Sequence, residues 1–453
     1  MDFSGVRTSM PQRISVHTLG CKLNYAETSS IAAEFVQNGF SLVDFGQESD
    51  IFVLNTCSVT ENAERECRQI IRRTLRKSPN TYVVVTGCYA QLRPEEIASI
   101  DGVDLVLGAK EKFDVLKHSN DFKKGSGARV IASKISEISD FHSAVSSENG
   151  ERTRAFLKVQ DGCDYSCSFC TIPKARGESR SAEIDEIVRR ARILSNEGFH
   201  EIILSGVNVG DFGRKTGSSF FDLALTLEND PEVTARIRIS SIEPNLLTDD
   251  IISLVASSSK FCPHFHIPMQ SGSDKLLRLM QRRYNAGTYG TLVGHIKSIM
   301  PNACIGADVI VGFPGETDAD FAETCDFIRD LDISYLHVFT YSERPATKAS
   351  EMKDSVPTQI RRERNRLLRI ISEKKKRTFY SSQIGREITV LLEKSGDQGY
   401  TENYVRVKLS RNVENRAELA RVKLLEVLGD IVIAEPLEVL AHRRVEETLL
   451  PIL

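Results

Sequence analysis

Three cysteines stand close together in the segment VQDGCDYSCSFCTIP, at Cys163, Cys167 and Cys170. Thiolates are the usual ligands of iron–sulfur clusters. A CxxxCxxC loop can hold three irons of a four-iron cube and leave the fourth open, as a catalytic zinc keeps one position for substrate. S-adenosylmethionine could chelate that open iron through its amino and carboxylate groups. An electron from the cluster would then cleave the sulfonium and release a 5′-deoxyadenosyl radical, with the protein supplying placement and shielding. The bland alternative is a zinc loop without its fourth ligand. Phe169 lies between the last two cysteines. It can cover the cluster and the adenine, or serve only as packing.

A second set of cysteines is dispersed. Cys21, Cys57 and Cys88 occur in TLGC, NTC and TGC, each one or two residues past a strand-like run. In an open parallel sheet such loops emerge on one edge, where ligands bind. Topology would therefore gather three thiols that spacing alone would not. Gly20 and Gly87 precede two of them and permit a sharp turn. Three structural thiols, or a three-thiolate zinc site, are the alternatives, although no His is similarly placed in these loops. The chain has ten cysteines. In a reducing cytosol a grouped set is expected to bind metal or do chemistry.

The elements that must position these residues follow from hydrophobic periodicity. Strands are predicted at Ile14–Leu19, Ile51–Thr56, Thr81–Thr86 and Val103–Gly108, with helices between them, the second running from Asn62 to Lys77. Continuous apolar strands alternating with helices indicate a parallel sheet covered on both faces. Residues 126–152 read as a polar linker, with one edge strand at Ala128–Ile131. The βα alternation then resumes, with strands at Ala155–Gln160, Glu201–Leu204, Arg236–Ser240, His264–Pro268, Ile305–Val311 and Tyr335–Thr340. Six such units indicate a barrel or partial barrel with its functional loops at the C-terminal strand ends. After a basic helix, short alternating strands without helices mark a small all-β barrel. The expected division is 12–125, an N-terminal α/β domain; 126–152, a linker; 153–380, the central (β/α) core; and 381–445, the β-barrel.

Composition narrows the class. The 453 residues carry 59 Lys and Arg against 62 Asp and Glu, a net charge of −3. A globally basic nucleic-acid coat is excluded, while local basic patches are not. No apolar run approaches the ~18–20 residues of a membrane helix, and MDFSGVRTSMPQR lacks the apolar stretch of a signal peptide. A cytoplasmic protein without membrane association is expected.

The CxxxCxxC loop on a βα barrel resembles the radical S-adenosylmethionine superfamily. The N-terminal strand-end cysteines and the β-barrel tail, which looks like a TRAM RNA-binding module, narrow the resemblance to the methylthiotransferase family. It runs from about Arg13 to His442 and is carried by TLGCKLNYAETS, NTCSVTENAERECRQIIRR, VVVTGCYAQ, VQDGCDYSCSFCTIPKARGESRS, LSGVNVGDFG, HIPMQSGSDKLLRLMQRRY, GADVIVGFPGETDADF and YSERPATKA. LGCKLN, with Lys22 after the cysteine, and CTIPKARGESRS resemble the branch that modifies N6-threonylcarbamoyladenosine in tRNA. Other branches act on isopentenyladenosine or on an aspartate of a ribosomal protein. A non-catalytic iron–sulfur RNA-binding protein is a further alternative.

The resemblance implies two [4Fe-4S] clusters. One is radical-generating, on Cys163, Cys167 and Cys170, and one is auxiliary, on Cys21, Cys57 and Cys88. One S-adenosylmethionine methylates sulfur at the auxiliary cluster, and a second is cleaved to abstract hydrogen from C2 of the adenine. The implied partners are tRNA and a flavodoxin- or ferredoxin-like electron donor; the sulfur donor stays open.

Further residues fall at the C-terminal ends of barrel strands. Gly206, Asn208, Glu243 and Gln270 could hold the amino acid and ribose parts of the cofactor, or stabilise loops. Gly312–Glu316 resembles the superfamily's glycine loop. Cys262, His264 and His266 share a strand face, which invites a metal reading, but a packing role is preferred. Cys67, Cys304 and Cys325 read as core thiols. Arg361–Arg377 carries nine basic residues, fit either for solvent or for phosphate, and the helix after Cys57 has the same ambiguity. In NYVRVKL, Arg406 and Lys408 alternate with Val405, Val407 and Leu409, which leaves two cations for RNA.

Overall fold

A computed structural model describes residues 11–442 except 59–60, 126, 147–152, 394, 412 and 414–416. The expected linker and the β-barrel tail thus lie partly outside the described residues.

The first layer is a six-stranded sheet in the order β2-β1-β3-β4-β5-β6. Its strands are β1 (Arg13–Thr18), β2 (Ser41–Val43), β3 (Ile51–Thr56), β4 (Tyr82–Gly87), β5 (Leu105–Leu107) and β6 (Arg129–Ile131). Every pairing is parallel. β3 and β4 are buried along their whole length, as central strands covered on both faces must be. The edge strand expected at 128–131 is β6, which pairs with β5. β2 was not expected; three half-buried residues give little periodicity.

The central unit holds β7 (Arg154–Lys158), β8 (Gln160–Asp161), β9 (Arg180–Ser181), β10 (Glu201–Ser205), β11 (Arg236–Ile239), β12 (His264–His266), β13 (Cys304–Val311) and β14 (Tyr335–Thr340). Two parallel three-stranded sheets, β11-β10-β7 and β12-β13-β14, are joined by single bridges, Ile237 to Phe261 and Ser241 to His266. The result is an open, partial barrel around one large apolar core. β8 and β9 pair antiparallel and close the base of the Cys163–Cys170 loop.

A 25-residue helix, Thr358–Ser382, leads to a closed five-stranded barrel. Its strands are β15 (Glu387–Leu392), β16 (Gln398–Thr401), β17 (Arg406–Leu409), β18 (Ala417–Leu428) and β19 (Ile431–His442), in the order β15-β16-β17-β19-β18. This small barrel sits against the lower ends of the central strands. Arg154, first residue of β7, lies 5.0 Å from the Tyr400 ring, and Arg238 lies 5.0 Å from the Tyr404 ring. Arg236 donates to the Tyr400 carbonyl at 3.0 Å, and Arg238 to the Glu402 carbonyl at 2.9 Å. Glu201 neutralises both arginines, at 2.6 and 2.9 Å. Among the described residues no helix is long and apolar enough to cross a membrane.

Candidate active site

Cys21, Cys57 and Cys88 follow β1, β3 and β4, on one edge of the sheet. The loops are laced together. Asn24 donates through Nδ2 to the carbonyls of Leu19 at 2.9 Å and Thr56 at 3.0 Å. Thr56 Oγ1 donates to the Thr86 carbonyl at 2.5 Å. Gly20 has φ +108°, and a Cβ there would stand 2.7 Å from Cys57 Cβ and 3.0 Å from its Sγ. Gly87 has φ +97°, and a Cβ there would meet the Thr56 carbonyl at 2.4 Å. Both glycines are required by a left-handed turn and by close approach. Burial raises the Cys88 thiol, and the Arg176 guanidinium pulls against that rise.

In the second loop each sulfur receives an N–H donor. Tyr165 N donates to Cys163 Sγ at 3.4 Å, Ile172 N to Cys170 Sγ at 3.4 Å, and Arg282 Nη1 to Cys167 Sγ at 3.1 Å. Donors directed at sulfur stabilise thiolate, the form that binds iron. Burial pushes the Cys163 and Cys170 thiols up to about 12. Among the described residues no three His, Cys, Asp or Glu side chains converge at the spacing of a single metal ion.

The strand-end residues surround this loop. The Asn208 backbone N–H donates to Gln160 Oε1 at 3.0 Å, and its Oδ1 accepts from the Glu243 backbone N–H at 3.2 Å. Glu243 pairs with Arg282, which also donates to the Tyr284 hydroxyl at 3.1 Å. Asn208 Nδ2 and Gln270 Oε1 are buried and have no partner among the described residues. Such orphans carry a desolvation penalty until something polar fills the space. Gln270 has φ +65°, unusual for a residue with a side chain. A Cβ on Gly206 would stand 2.9 Å from Gln160 Oε1, so the backbone approaches closely there. Phe169 is half-buried and edge-on to Phe313, with ring centroids 6.4 Å apart. A thiol triplet with aimed donors, beside orphaned amide groups, fits an iron–sulfur cluster with a polar ligand next to it.

The two cysteine loops meet at a buried charge cluster. Glu27 is fully buried and pairs with Lys112 at 2.6 Å, Lys158 at 2.8 Å and Arg176 at 3.0 Å. Asp161 pairs with Lys158 at 2.7 Å, Arg176 at 2.8 Å and Arg180 at 3.0 Å. Burial alone would raise both carboxyls, but the surrounding cations hold them well below the usual range. Arg176 Nη2 also donates to Asn24 Oδ1 at 2.6 Å.

The chain matches two family models: Uncharacterized protein family UPF0004 over residues 13–108, and the Radical SAM superfamily over residues 157–328. The threonylcarbamoyladenosine tRNA methylthiotransferase MtaB of Aquifex aeolicus is 38% identical, over 87% of this chain and 96% of the relative. That of Bacillus subtilis is 36% identical, over 91% and 94%. The tRNA-2-methylthio-N(6)-dimethylallyladenosine synthase of Methylacidiphilum infernorum is 30% identical, over 94% of each chain. The chain belongs to the radical S-adenosylmethionine methylthiotransferase family. The fold agrees: the methyltransferase TsrM of Kitasatospora setae superposes with a TM-score of 0.56 over 75% of each chain, at 15% identity.

A radical S-adenosylmethionine enzyme uses a [4Fe-4S] cluster and S-adenosylmethionine. In this methylthiotransferase, sequence reasoning missed Arg282, Arg176 and Arg344. Arg344 donates through Nη1 to Glu64 at 2.6 Å and to the Ser58 carbonyl at 3.3 Å, which braces the segment after Cys57. Each lies within a phrase that carried the family resemblance, CTIPKARGESRS, HIPMQSGSDKLLRLMQRRY or YSERPATKA, but nothing local distinguished it from its neighbours.

The Cys262, His264 and His266 group resolves into packing, and the basic residues divide by exposure. His264 Nε2 meets the Tyr335 hydroxyl at 3.0 Å, and His266 Nε2 meets Asp308 at 3.0 Å. Cys262, Cys67, Cys304 and Cys325 are buried. Glu316, in the glycine loop, takes the Gly312 N–H at 2.6 Å and Arg364 at 2.6 Å. Arg361 and Arg364 are buried in the long helix, whereas Arg362, Arg366, Arg369, Lys374 and Arg377 are exposed. On β17 Lys408 is exposed. Arg406 is half-buried and donates to Gln398 Oε1 at 3.2 Å.

Proposed function

We propose that this enzyme installs a methylthio group at C2 of N6-threonylcarbamoyladenosine beside the anticodon of tRNA. Cys163, Cys167 and Cys170 hold the radical-generating [4Fe-4S] cluster, and Cys21, Cys57 and Cys88 hold an auxiliary one. When bound, these clusters and S-adenosylmethionine supply the carbon radical and the sulfur. The observation that carries the reading is the Asn24–Arg176 contact at 2.6 Å. It joins the helix that follows Cys21 to the helix that follows Cys170, which supports two thiol triplets facing one interdomain cleft. Radical and sulfur must reach the same carbon, and such juxtaposition is what orientation contributes to catalysis.

The chain's own residues position and shield. Gly206, Asn208, Glu243 and Gln270 present polar groups to the amino acid and ribose of the cofactor, and Phe169 covers its adenine. Arg282 holds Glu243 and Cys167 in one frame. The division 12–125, 126–152, 153–380 and 381–445 then corresponds to sulfur insertion, linker, radical chemistry and a TRAM-like RNA-binding barrel. Arg406, Lys408 and the exposed helix cations meet tRNA phosphates. The enzyme works in the cytoplasm with a flavodoxin- or ferredoxin-like donor.

Nucleoside mass spectrometry of tRNA from cells with and without the gene tests this reading. Loss of the 2-methylthio nucleoside with accumulation of its unthiolated precursor is expected. A loss on isopentenyladenosine instead would move the enzyme to the other tRNA branch. In reconstituted protein, Cys57→Ala should keep 5′-deoxyadenosine formation and lose sulfur insertion, and Cys167→Ala should lose both.

A further inference from the structure

β14 is the last strand of its sheet, and the helix Thr358–Ser382 lies along its open edge. Ser372 Oγ accepts from the Leu336 backbone N–H at 2.9 Å and donates to the Leu336 carbonyl at 3.1 Å. Asn365 Nδ2 donates to the Val338 carbonyl at 3.2 Å. Between strand and helix runs a groove of about 300 Å³, with His337, Phe339, Arg369 and Glu373 in its lining.

This groove adjoins a larger one of about 510 Å³ along the exposed face of the helix, and Arg369 and Glu373 line both. Arg362, Arg366, Arg369, Glu373 and Arg377 recur every three or four residues and so form one stripe, with Lys374 beside it. Five cations against one acid make the stripe strongly positive. Both ends of the helix are fixed. Near its start, Arg361 Nη1 donates to the Tyr341 carbonyl at 3.0 Å, and Arg364 pairs with Glu316 of the glycine loop at 2.6 Å. Near its end, the Tyr380 hydroxyl takes the backbone N–H of Arg406 on β17 at 3.1 Å. The stripe therefore runs from the β-barrel towards the cofactor end of the central unit, about 22 Å from Arg377 to Arg362 at the helical rise.

The narrower groove holds an aromatic. Phe339 is 42% exposed, unusual for a Phe in the centre of a fold, and His337, on the same face of β14, is exposed as well. Phe339 stands opposite Ile310 in register. Ile310 and Phe169, the latter from the Cys163–Cys170 loop, pack against one apolar cluster around Phe313 and Tyr341. The exposed ring thus lies one strand from side chains that pack with the cysteine loop. A positive track leading to an exposed ring is the combination that holds single-stranded nucleic acid: the cations follow the backbone and the ring stacks a base. A duplex keeps its base faces stacked and offers the ring nothing. An acidic protein would match the cations but leave Phe339 unused.

We propose that this groove guides one unpaired strand of the anticodon loop, with its phosphates on Arg362, Arg366 and Arg369 and one base beside the target adenosine stacked on Phe339. The inference rests on the tRNA substrate proposed above. A base held by Phe339 cannot restack on the target adenosine, so that adenosine stays turned out of the loop, as chemistry on a base requires. The ring is a positioning residue, and the arginines set the path of the strand.

The test uses the full-length, cluster-loaded enzyme and anticodon stem-loops bearing the threonylcarbamoyl nucleoside, with binding read by fluorescence anisotropy. In one series each other loop base in turn is replaced by an abasic ribose. Phe339→Ala should weaken the intact stem-loop roughly tenfold, the scale of one lost base stack, and Phe339→Tyr should retain affinity. At one loop position the abasic ribose should cost the wild type about the same factor and cost Phe339→Ala nothing further. Losses that add at every position overturn the proposal, as does undiminished affinity in Phe339→Ala with iron content unchanged. Arg369→Gln against a series of methylphosphonate linkages gives the same reading for the phosphates should Phe339→Ala fail to fold, and the coupled phosphate should adjoin the coupled base. Intact stem-loop binding by Arg362→Gln/Arg366→Gln/Arg369→Gln, with slower cluster reduction by an acidic flavodoxin, assigns the groove to an electron donor and overturns the proposal. A wild type that binds no stem-loop overturns the tRNA reading and this inference together. The same coupling on a stem-loop that is thiolated at isopentenyladenosine instead would uphold the groove and change only the substrate.

Discussion

At the scale of single residues, the loop proposed to hold the radical-generating cluster is met by one arginine distant in sequence. Arg282 touches Cys167 across 115 residues and pairs with Glu243. A buried positive charge beside a ligating sulfur favours the reduced cluster, since reduction adds negative charge. Arg282→Gln is expected to lower the midpoint potential by on the order of tens of millivolts, with Arg282→Lys in between. A redox titration followed by electron paramagnetic resonance reads this directly; coincident curves for wild type and Arg282→Gln would show that the charge does not tune the cluster. Asn24 plays the corresponding part on the other side, with both amide ends committed to loop carbonyls and to Arg176.

At the scale of elements, the turns that present the thiols tolerate little. In Gly87→Ala the new methyl would face Asn55 Oδ1 and the Thr56 carbonyl, each at 2.4 Å, at φ +97°. Backbone strain alone costs roughly 1–3 kcal/mol, and a clash with backbone cannot relax as a side chain would. The denaturant midpoint should fall and iron bound by the first domain should drop. Gly385→Ala, at φ +86° with open space around it, should be milder on both counts. Much of this layer was legible in sequence. Ile51–Thr56 and Tyr82–Gly87 are continuous apolar runs, and burial on both faces writes that pattern directly. The CxxxCxxC loop was legible because its ligands lie within eight consecutive residues. What escaped was short or distant. β2, β8 and β9 are too brief to show a period, and β16 contains a glycine and one Tyr among polar neighbours. Arg176 reaches Asn24 across 152 residues and Arg344 reaches Ser58 across 286, and no local pattern encodes such contacts. The basic helix was legible as a charge run, but not in its split between five exposed cations and the buried Arg361 and Arg364.

At the scale of the molecule, the first domain is clamped to the central barrel by a charge cluster. Glu27 is surrounded by three cations, and removing it would leave Lys112 without its ion pair and Lys158 and Arg176 to Asp161. Losing one partner of a buried ion pair typically costs about 3–5 kcal/mol, so Glu27→Gln should lower the unfolding midpoint and loosen the interdomain cleft. Both carboxyls have folded pKa values well below their unfolded ones. Their stabilisation is therefore complete above the unfolded carboxylate range and is lost only as pH falls through the depressed folded values. Between pH 7 and about 5 this cluster should leave stability unchanged, which thermal unfolding across that window checks. RNA binding has its own signature. Arg366→Ala with Arg369→Ala should weaken tRNA affinity and reduce the salt slope by about 0.7–0.9 for each phosphate no longer neutralised. Arg364→Ala should instead lower stability, because Arg364 is buried against Glu316 and Asp318.

The small β-barrel rests its Tyr400–Tyr404 turn on the arginines at the foot of the central strands. The module that we propose grips RNA thereby also braces the foot of the central strands. Cutting it away would not yield a minimal catalyst. It would strip Arg236 and Arg238 of their β-barrel carbonyl partners and leave them to Glu201. Shortening this enzyme for practical use would therefore cost the central barrel its footing along with the tail.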